Sequence, residues 1–217
     1  MPVRILIADD HAVIREGLKI ILEAQGSMTV VGEAINGRDA LEKSLALKPD
    51  VIIMDITMPD MNGIEATRLI HAQLPAVRII ILSMHHSREH VFRAIQAGAS
   101  AYLLKESAGT CVFAAVQAVM KGGSYFSEGV EPPPNIVKAG NKSRIPSPLE
   151  SLSQREREVL QLVVEGNTSA EIAEFLGLSP KSVETYRSRL MLKLGVGNVP
   201  SLVKFALLHG ITPTDNK

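Results

Sequence analysis

Residues 51–66, with the sequence VIIMDITMPDMNGIEA, indicate most directly which fold this chain adopts. The run Val51–Met54 is short, apolar and rich in isoleucine, which is typical of a β-strand buried on both faces. Asp55 follows this run at once, and an amphipathic stretch begins at Gly63. The segment therefore predicts a buried strand that ends in a carboxylate and leads through a loop into a helix.

The same strand-then-helix pattern recurs along the first 125 residues. The other short apolar runs are VRILIA (3–8), VVGEAI (30–35), RIIILS (78–83) and SAYLL (100–104). The amphipathic stretches lie at about 11–25, 37–47, 63–73, 88–97 and 107–121. Five strands that alternate with five helices predict a parallel, doubly wound α/β sheet, in which ligands bind beyond the carboxyl ends of the strands.

The composition limits the class of protein to which the chain can belong. Of its 217 residues, 46% are hydrophobic and 21% are charged, as in ordinary globular proteins. Basic and acidic residues number 23 each, which argues against a protein that binds nucleic acid or membranes by bulk charge. A single cysteine, Cys111, excludes an internal disulfide and a cysteine-cluster metal site. Without a secretory signal pattern or an apolar run long enough for a membrane helix, we expect a cytoplasmic protein.

The pattern breaks after residue 126. Residues 127–150 contain five prolines and no sustained apolar period. We therefore predict a linker at 127–149 that joins a first domain, 1–126, to a second, 150–217. The alternative is one long surface loop inside a single domain, but structureless loops of this length are uncommon.

The second domain shows helical patterns only. Ser153 and Thr168 each have a glutamate three residues later, which fits a capping box, and Ser179 before Pro180 fits a helix N-cap followed by proline. Four helices are expected, at about 154–165, 169–175, 180–194 and 199–209.

Residues whose side chains can bind ions or take part in a reaction stand at the ends of the predicted strands. Asp9 and Asp10 follow the first strand, and Asp55, Ser83 and Lys105 end or follow the third, fourth and fifth. The carboxyl ends of parallel strands meet at one edge of the sheet, so these side chains are expected to converge on one pocket. Three carboxylates there would repel one another unless a cation such as Mg²⁺ neutralised them. Taken singly, each residue also fits a helix cap or a solvated surface position; their joint occurrence favours a site that binds phosphoryl oxygens.

The first domain resembles the receiver domain of bacterial two-component response regulators. The segments that carry the resemblance are ILIADDH (5–11), VIIMDITMPDMNGIEA (51–66), IIILSMH (79–85) and GASAYLLKES (98–107). The resemblance implies a five-stranded, flavodoxin-like sheet. It also implies that Asp55 accepts a phosphoryl group from a phosphohistidine on a partner sensor kinase.

The resemblance implies roles for the residues around Asp55 as well. Asp10, Asp55 and the backbone carbonyl of Thr57 would bind Mg²⁺ directly, and Asp9 would assist through water. Lys105 would pair with the phosphoryl oxygens, which is the kind of charge neutralisation on which phosphoryl transfer depends.

A conformational switch is also implied. Ser83 would move to hydrogen-bond a phosphoryl oxygen, and the ring of Tyr102 would turn inward into the space that Ser83 leaves, which would bias a two-state equilibrium. The alternative for Tyr102 is a half-buried strand tyrosine whose hydroxyl lies in water.

The stretch 168–195, TSAEIAEFLGLSPKSVETYRSRLMLKLG, has a helix–turn–helix layout. In its second helix Val183, Tyr186, Leu190 and Leu194 form an apolar stripe. Residues 179–194 carry four basic side chains and one acidic one, a local charge of +3. A charged helix face is often merely solvated, but this one concentrates positive charge that the rest of the domain lacks.

The longer stretch 152–196 resembles the LuxR-type DNA-binding domain of the NarL/FixJ response regulators. That resemblance implies an all-α, four-helix domain whose recognition helix, 180–194, lies in the major groove of DNA. The residues that would face base edges are Glu184, Thr185 and Ser188. The residues that would contact phosphates are Lys181, Arg187, Arg189, Lys193, Thr168 and Ser169.

The last predicted helix has more apolar surface than a lone capping helix needs. By resemblance, it packs on the domain and offers a dimer face composed of Val199, Leu202, Val203 and Ala206. The alternative is a helix that only closes the core of the domain.

These features predict a transcription factor controlled by phosphorylation, and not an enzyme beyond slow self-dephosphorylation. The expected partners are a sensor histidine kinase, double-stranded DNA, a second copy of the chain and RNA polymerase, without a membrane. Residues 126–217 hold 11 basic and 10 acidic residues, so we expect useful DNA affinity to require the dimer.

Two alternatives remain. One is a DNA-binding regulator that works without phosphate, with the acidic pocket a relic. The other is a haloacid-dehalogenase-like phosphatase, which is disfavoured because Thr57 stands where such enzymes have a second acid.

Overall fold

The structure, a computed structural model, describes residues 1–24, 26–132, 148–208 and 211. The chain divides into two compact units, Met1–Ala139 and Gly140–Lys217. Most of the predicted linker, residues 133–147, lies outside the described residues, so the linker boundaries stay a prediction.

The first unit is built on a sheet of six parallel strands. In chain order the strands are β1 Val3–Ala8, β2 Met28–Ala34, β3 Val51–Asp55, β4 Arg78–Ser83, β5 Ala101–Leu104 and β6 Tyr125–Phe126. Their spatial order is β2-β1-β3-β4-β5-β6. The parallel, doubly wound architecture predicted from the alternating pattern is confirmed.

The sixth strand was not predicted. It has only two residues, which pair with Ala101 and Tyr102 at the edge of the sheet. A two-residue strand is too short to show the apolar run or alternation by which the other five are recognised.

Five helices cover the two faces of the sheet. They are α1 Ala12–Glu23, α2 Gly37–Leu47, α3 Gly63–Gln73, α4 Arg88–Ala97 and α5 Ala108–Met120. Successive strand residues enter opposite cores: Ile52 and Met54 pack with residues of α2, α3 and α4, whereas Val51 and Ile53 pack with residues of α1 and α5. Because both faces are buried, the strands are continuous apolar runs and not alternating ones.

The second unit contains the four predicted helices. They are α6 Gln154–Val164, α7 Ser169–Leu176, α8 Pro180–Leu194 and α9 Val199–Leu208. The capping boxes predicted at Ser153 and Thr168 are both formed, and the Ser179 side chain accepts a hydrogen bond from the backbone N–H of Ser182. Gly177 ends α7 with φ 64°, a left-handed conformation in which glycine carries no steric penalty, so α8 can begin three residues later.

The helices of the described residues do not include a candidate membrane span. None of them combines the length and the apolar character that crossing a bilayer requires.

Candidate functional site

An acidic cluster lies at the carboxyl ends of the adjacent strands β1 and β3. Asp55 is the last residue of β3, and Asp9 and Asp10 directly follow β1. One ligand atom from each of Asp9, Asp10, His11 and Asp55 lies within 4.8 Å of the others. Asp9 and Asp55 are buried, so their carboxylates have little water to stabilise their charge. The structure thus brings together the three acids that were expected to converge because they lie at the ends of strands.

Lys105 joins the two buried carboxylates. Its Nζ lies 2.8 Å from Asp9 Oδ2 and 2.7 Å from Asp55 Oδ2, and its side chain is only 9% exposed. Lys105 begins a 3₁₀ turn, Lys105–Ser107, that follows β5 directly. These short contacts are charge-assisted and hold the ammonium beside both acids.

The pocket carries more negative than positive charge, and the pKa values of Asp55 and Lys105 are both raised. Burial and the neighbouring Asp9 raise the pKa of Asp55 to about 7, against the opposing effects of Lys105 and the backbone N–H of Thr57. Burial lowers the pKa of Lys105, but Asp55 and Asp9 outweigh it, so the net shift is upward. The lysine therefore stays charged, while the Asp55 carboxyl retains a proton more readily than an exposed aspartate does.

Thr57 and Gly63 shape the loop that follows Asp55. The backbone N–H of Thr57 donates to Asp55 Oδ1 at 3.3 Å, and the N–H of Gly63 donates to the carbonyl of Ile56 at 2.8 Å. A Cβ atom on Gly63 would lie 1.8 Å from the backbone oxygen of Asp55. Only glycine therefore allows α3 to begin this close to the end of β3.

Replacement of Gly63 by alanine is expected to destabilise the first unit by about 3 kcal/mol, because the clash is with backbone and cannot be relieved by a rotamer change. Gly17→Ala is the matched control: Gly17 lies within α1, a Cβ there meets nothing within 4 Å, and stability should rise by about 0.5–1 kcal/mol. Calorimetric unfolding of the full chain measures both. A Gly63→Ala protein as stable as the wild type would show that the close approach is unimportant.

His11 belongs to the cluster although it was not predicted. Its backbone N–H donates to Asp9 Oδ1 at 2.8 Å, and its Nδ1 lies 2.8 Å from Asp10 Oδ1. Burial lowers the pKa of His11, but Asp10 and Asp9 more than compensate and raise it overall. The only signal in the sequence was that the histidine directly follows the two acids.

Ser83 and Tyr102 stand on the neighbouring strands β4 and β5. The Ser83 hydroxyl accepts a hydrogen bond from the N–H of His85 at 3.0 Å, and the Tyr102 hydroxyl donates to the carbonyl of His85 at 2.6 Å. Tyr102 is fully buried, and burial raises its pKa to about 12. The ring thus lies inward in this structure, which excludes the alternative of a half-buried tyrosine with its hydroxyl in water.

The second candidate site is the polar face of α8. The polar side chains that it exposes to solvent are those of Lys181, Glu184, Thr185, Ser188, Arg189 and Lys193. In the part of the chain that the structure describes, neither Lys181 nor Arg189 takes part in an ion pair. Neither cation is thus held by an acidic partner within the described residues, and their contact with phosphates stays a prediction.

Three of the residues assigned to DNA contacts are hydrogen-bonded to one another. The hydroxyl of Ser169, at the start of α7, donates to Glu184 Oε1, and Arg187 Nη1 donates to Ser169 Oγ at 2.9 Å and to Glu184 Oε1 at 3.0 Å. Contact of Arg187 with DNA would require these bonds to be exchanged. The side chain of Thr168 is engaged as the N-cap of α7.

Lys193 is also engaged within the unit. Its Nζ lies 2.7 Å from Oε2 of Glu156, the buried capping-box glutamate of α6. The two residues are 37 positions apart, so this pair was not visible in the sequence. The structure gives Lys193 a role in joining α8 to α6, and its contact with phosphate stays a prediction.

The predicted dimer face needs a correction. Leu202 and Ala206 are 0% exposed and pack in the core of the second unit with Val159 and Leu190, so they cannot form a surface for a partner. Val199 and Val203 are partly exposed and remain available. The apolar side chains of this helix point mainly into the domain's own core.

Two families match the chain, one for each unit. Residues 5–117 match the response regulator receiver domain, and residues 150–206 match the bacterial regulatory proteins of the luxR family.

Similar proteins match over almost the whole length. The transcriptional regulatory protein MctR of Rhizobium johnstonii is 37% identical over 96% of this chain and 95% of its own. The response regulator protein VraR of Staphylococcus aureus is 34% identical over 97% and 99%. The solved structure of the RcsB response regulator of Salmonella typhimurium is 28% identical, with a TM-score of 0.56 over 95% of this chain and 98% of that one. A structure of an RcsB–DNA complex is 29% identical, with a TM-score of 0.57 over 96% and 99%.

Proposed function

The chain belongs to the two-component response regulators that carry a receiver domain and a LuxR-type DNA-binding domain, and we propose that phosphorylation of Asp55 controls its binding to DNA. The observation that carries the proposal is the largely buried Lys105 ammonium held between Asp9 and Asp55 at the carboxyl edge of the sheet. A nucleophile and a charge-neutralising cation in one pocket are the parts that phosphoryl transfer needs.

In the proposed reaction, the Asp55 carboxylate attacks the phosphorus of a phosphohistidine on a sensor histidine kinase. The new P–O bond forms as the P–N bond breaks, and the kinase histidine leaves. Lys105 shifts from the Asp55 carboxylate to the phosphoryl oxygens, whose charge replaces that of the carboxylate. Ser83, at the end of β4, supplies a hydroxyl to one of them, and Tyr102 holds the adjacent loop through His85.

The donor set of the pocket fits Mg²⁺. Asp9, Asp10 and Asp55 offer hard carboxylate oxygens within 4.8 Å of one another, and they carry more negative charge than Lys105 can offset. Asp10, Asp55 and the carbonyl of Thr57 would hold the ion, with Asp9 assisting. When bound, Mg²⁺ would neutralise charge on the transferred phosphoryl group.

For the second unit, the proposed role is sequence-specific binding by α8 in the major groove. The exposed polar face of α8 and the similarity to RcsB, which has been solved with DNA, support this role. Glu184, Thr185 and Ser188 would read bases, and Lys181 and Arg189 would contact phosphates. The active form would be a homodimer that acts in the cytoplasm and works with RNA polymerase.

Phosphorylation is expected to tighten DNA binding by about tenfold or more, because a coupling between two sites is typically worth about 1–3 kcal/mol. The measurement compares the affinity for DNA fragments recovered by genome-wide mapping, and the sedimentation of the protein, before and after treatment with acetyl phosphate and Mg²⁺. The same treatment with a chelator in place of Mg²⁺ is the control. Equal affinity with and without incorporated phosphate would favour the alternative of a phosphorylation-independent regulator.

A further inference from the structure

Ser127, directly after β6, is a buried polar residue on the edge of the sheet nearest Lys105. It is 3% exposed, and it lies where the chain leaves the sheet. The reaction proposed above gives it no role. Its hydrogen bonds surround the turn that carries Lys105.

The first of these bonds takes the place of a backbone hydrogen bond between β5 and β6. Strand β5 has four residues, but β6 pairs only with its first two, Ala101 and Tyr102. The backbone N–H of Leu104, the last residue of β5, donates instead to Ser127 Oγ at 3.0 Å. The Ser127 side chain thus serves as the acceptor that a longer edge strand would have provided.

A second bond closes the other end of the turn. The Ser107 hydroxyl lies 3.1 Å from both the carbonyl oxygen of Leu104 and Ser127 Oγ. The single proton of the Ser107 hydroxyl can be donated to the carbonyl oxygen of Leu104 or to Ser127 Oγ. The residues on either side of Lys105–Glu106 are therefore both bound to one side chain.

Ser127 is itself held firmly. Its backbone N–H donates to the carbonyl of Tyr102 at 3.1 Å, and its carbonyl accepts from the N–H of Val130 at 3.0 Å. Val130 is buried in the same core as Tyr102. Because its backbone is fixed, the Ser127 side chain can hold in place the turn to which it is hydrogen-bonded.

We propose that Ser127 is a positioning residue that fixes the turn Lys105–Ser107 so that the Lys105 ammonium meets the phosphoryl group in the pocket. This inference rests on the proposed function. Lys105 touches the reacting group, whereas Ser127 acts only through Lys105. Loss of the Ser127 hydroxyl frees the turn and leaves the Leu104 N–H unsatisfied, and the ammonium then no longer meets the phosphoryl oxygens in the transition state.

The test measures phosphorylation of the full chain at varied acetyl phosphate concentration with Mg²⁺ present. We expect Ser127→Ala to lower the maximal rate by about three- to tenfold and to leave KM within about twofold, because the lost interaction acts in the transition state. Ser107→Ala, which keeps the bond from Leu104 to Ser127, should lower the rate less. Ser124→Ala, an exposed serine three residues earlier, is the matched control and should match the wild type.

A double-mutant cycle separates positioning from general damage to the fold. In a Lys105→Ala background, Ser127→Ala should cause no further loss of rate, because the group that it positions is gone. An equal further loss in that background, or a wild-type rate for Ser127→Ala alone, would overturn the inference. A wild-type rate for Lys105→Ala alone would instead contradict the proposed function. Thermal unfolding of each variant identifies any that fails to fold, and the weaker Ser107→Ala variant then carries the test.

Discussion

The Asp55→Asn protein is expected to take up no phosphate above background, a loss of at least about 100-fold in the rate of phosphorylation. The amide keeps the shape of the side chain but has no carboxylate oxygen to form the bond to phosphorus. The fold should survive the change, because the buried Asp55 carboxyl has its pKa raised to about 7 and a neutral group there relieves repulsion by Asp9.

The measurement is intact-protein mass after treatment with acetyl phosphate or with a cognate kinase, followed by mapping of the modified residue. Asp60→Asn is the matched control. Asp60 lies in the same loop after β3 but accepts a hydrogen bond from Asn36 at 3.0 Å, outside the acidic cluster. Its φ of 65° is one that asparagine also tolerates, so this variant should be phosphorylated normally.

Two outcomes would contradict the assignment of Asp55. Phosphorylation of Asp55→Asn at the wild-type rate would remove it as the acceptor. Mapping of the phosphate to Asp9 or Asp10 in the wild type would move the acceptor to β1 and give Asp55 a role in holding the metal.

The double variant Lys181→Ala with Arg189→Ala is expected to bind DNA about 100-fold more weakly than the wild type. Both side chains are exposed on α8, and a dimer would lose four phosphate contacts in total. Because residues 126–217 have only one more basic than acidic residue, little bulk attraction exists to compensate. The plot of log affinity against log salt concentration has a negative slope, and its magnitude should decrease by about 3–4.

Lys193→Ala provides the contrast, because Lys193 is a cation of the same helix with a different partner. Its ammonium pairs with the buried Glu156, so its loss should lower the stability of the second unit by about 1 kcal/mol and leave the salt slope nearly unchanged. Titration of labelled DNA at several salt concentrations, together with thermal unfolding, distinguishes the two effects. If Lys193→Ala reduced the slope as much as the double variant does, Lys193 would be a phosphate contact after all.

Much of the fold could be predicted because burial leaves a local pattern. The bounds of α2, α3 and α4 agree with the amphipathic stretches at 37–47, 63–73 and 88–97. The capping boxes at Ser153 and Thr168 also agree, since each depends on two residues only three positions apart. Strand β6 escaped detection because a two-residue edge strand is specified by its neighbour β5 and not by its own pattern.

The pocket could be predicted in outline. Asp9, Asp55 and Lys105 stand at strand ends, and a parallel sheet places all such ends at one edge, so the order of the chain was enough to bring them together. The bridge that Lys105 makes between the two acids is a property of packing, because it depends on distances between side chains from three strands. His11 joins the cluster through a local contact, because its ring lies against Asp10, the residue before it.

By itself, then, the sequence determined the strand and helix order, the helix caps, and the acids and lysine that share one edge of the sheet. The tertiary structure decided which face of α9 is buried, which cation of α8 is held by Glu156, and that Ser127 bonds to Leu104. The reason is physical. Periodicity and capping act over three or four residues and are written in the local sequence. A contact between residues 23 or 37 positions apart exists only once two elements have packed.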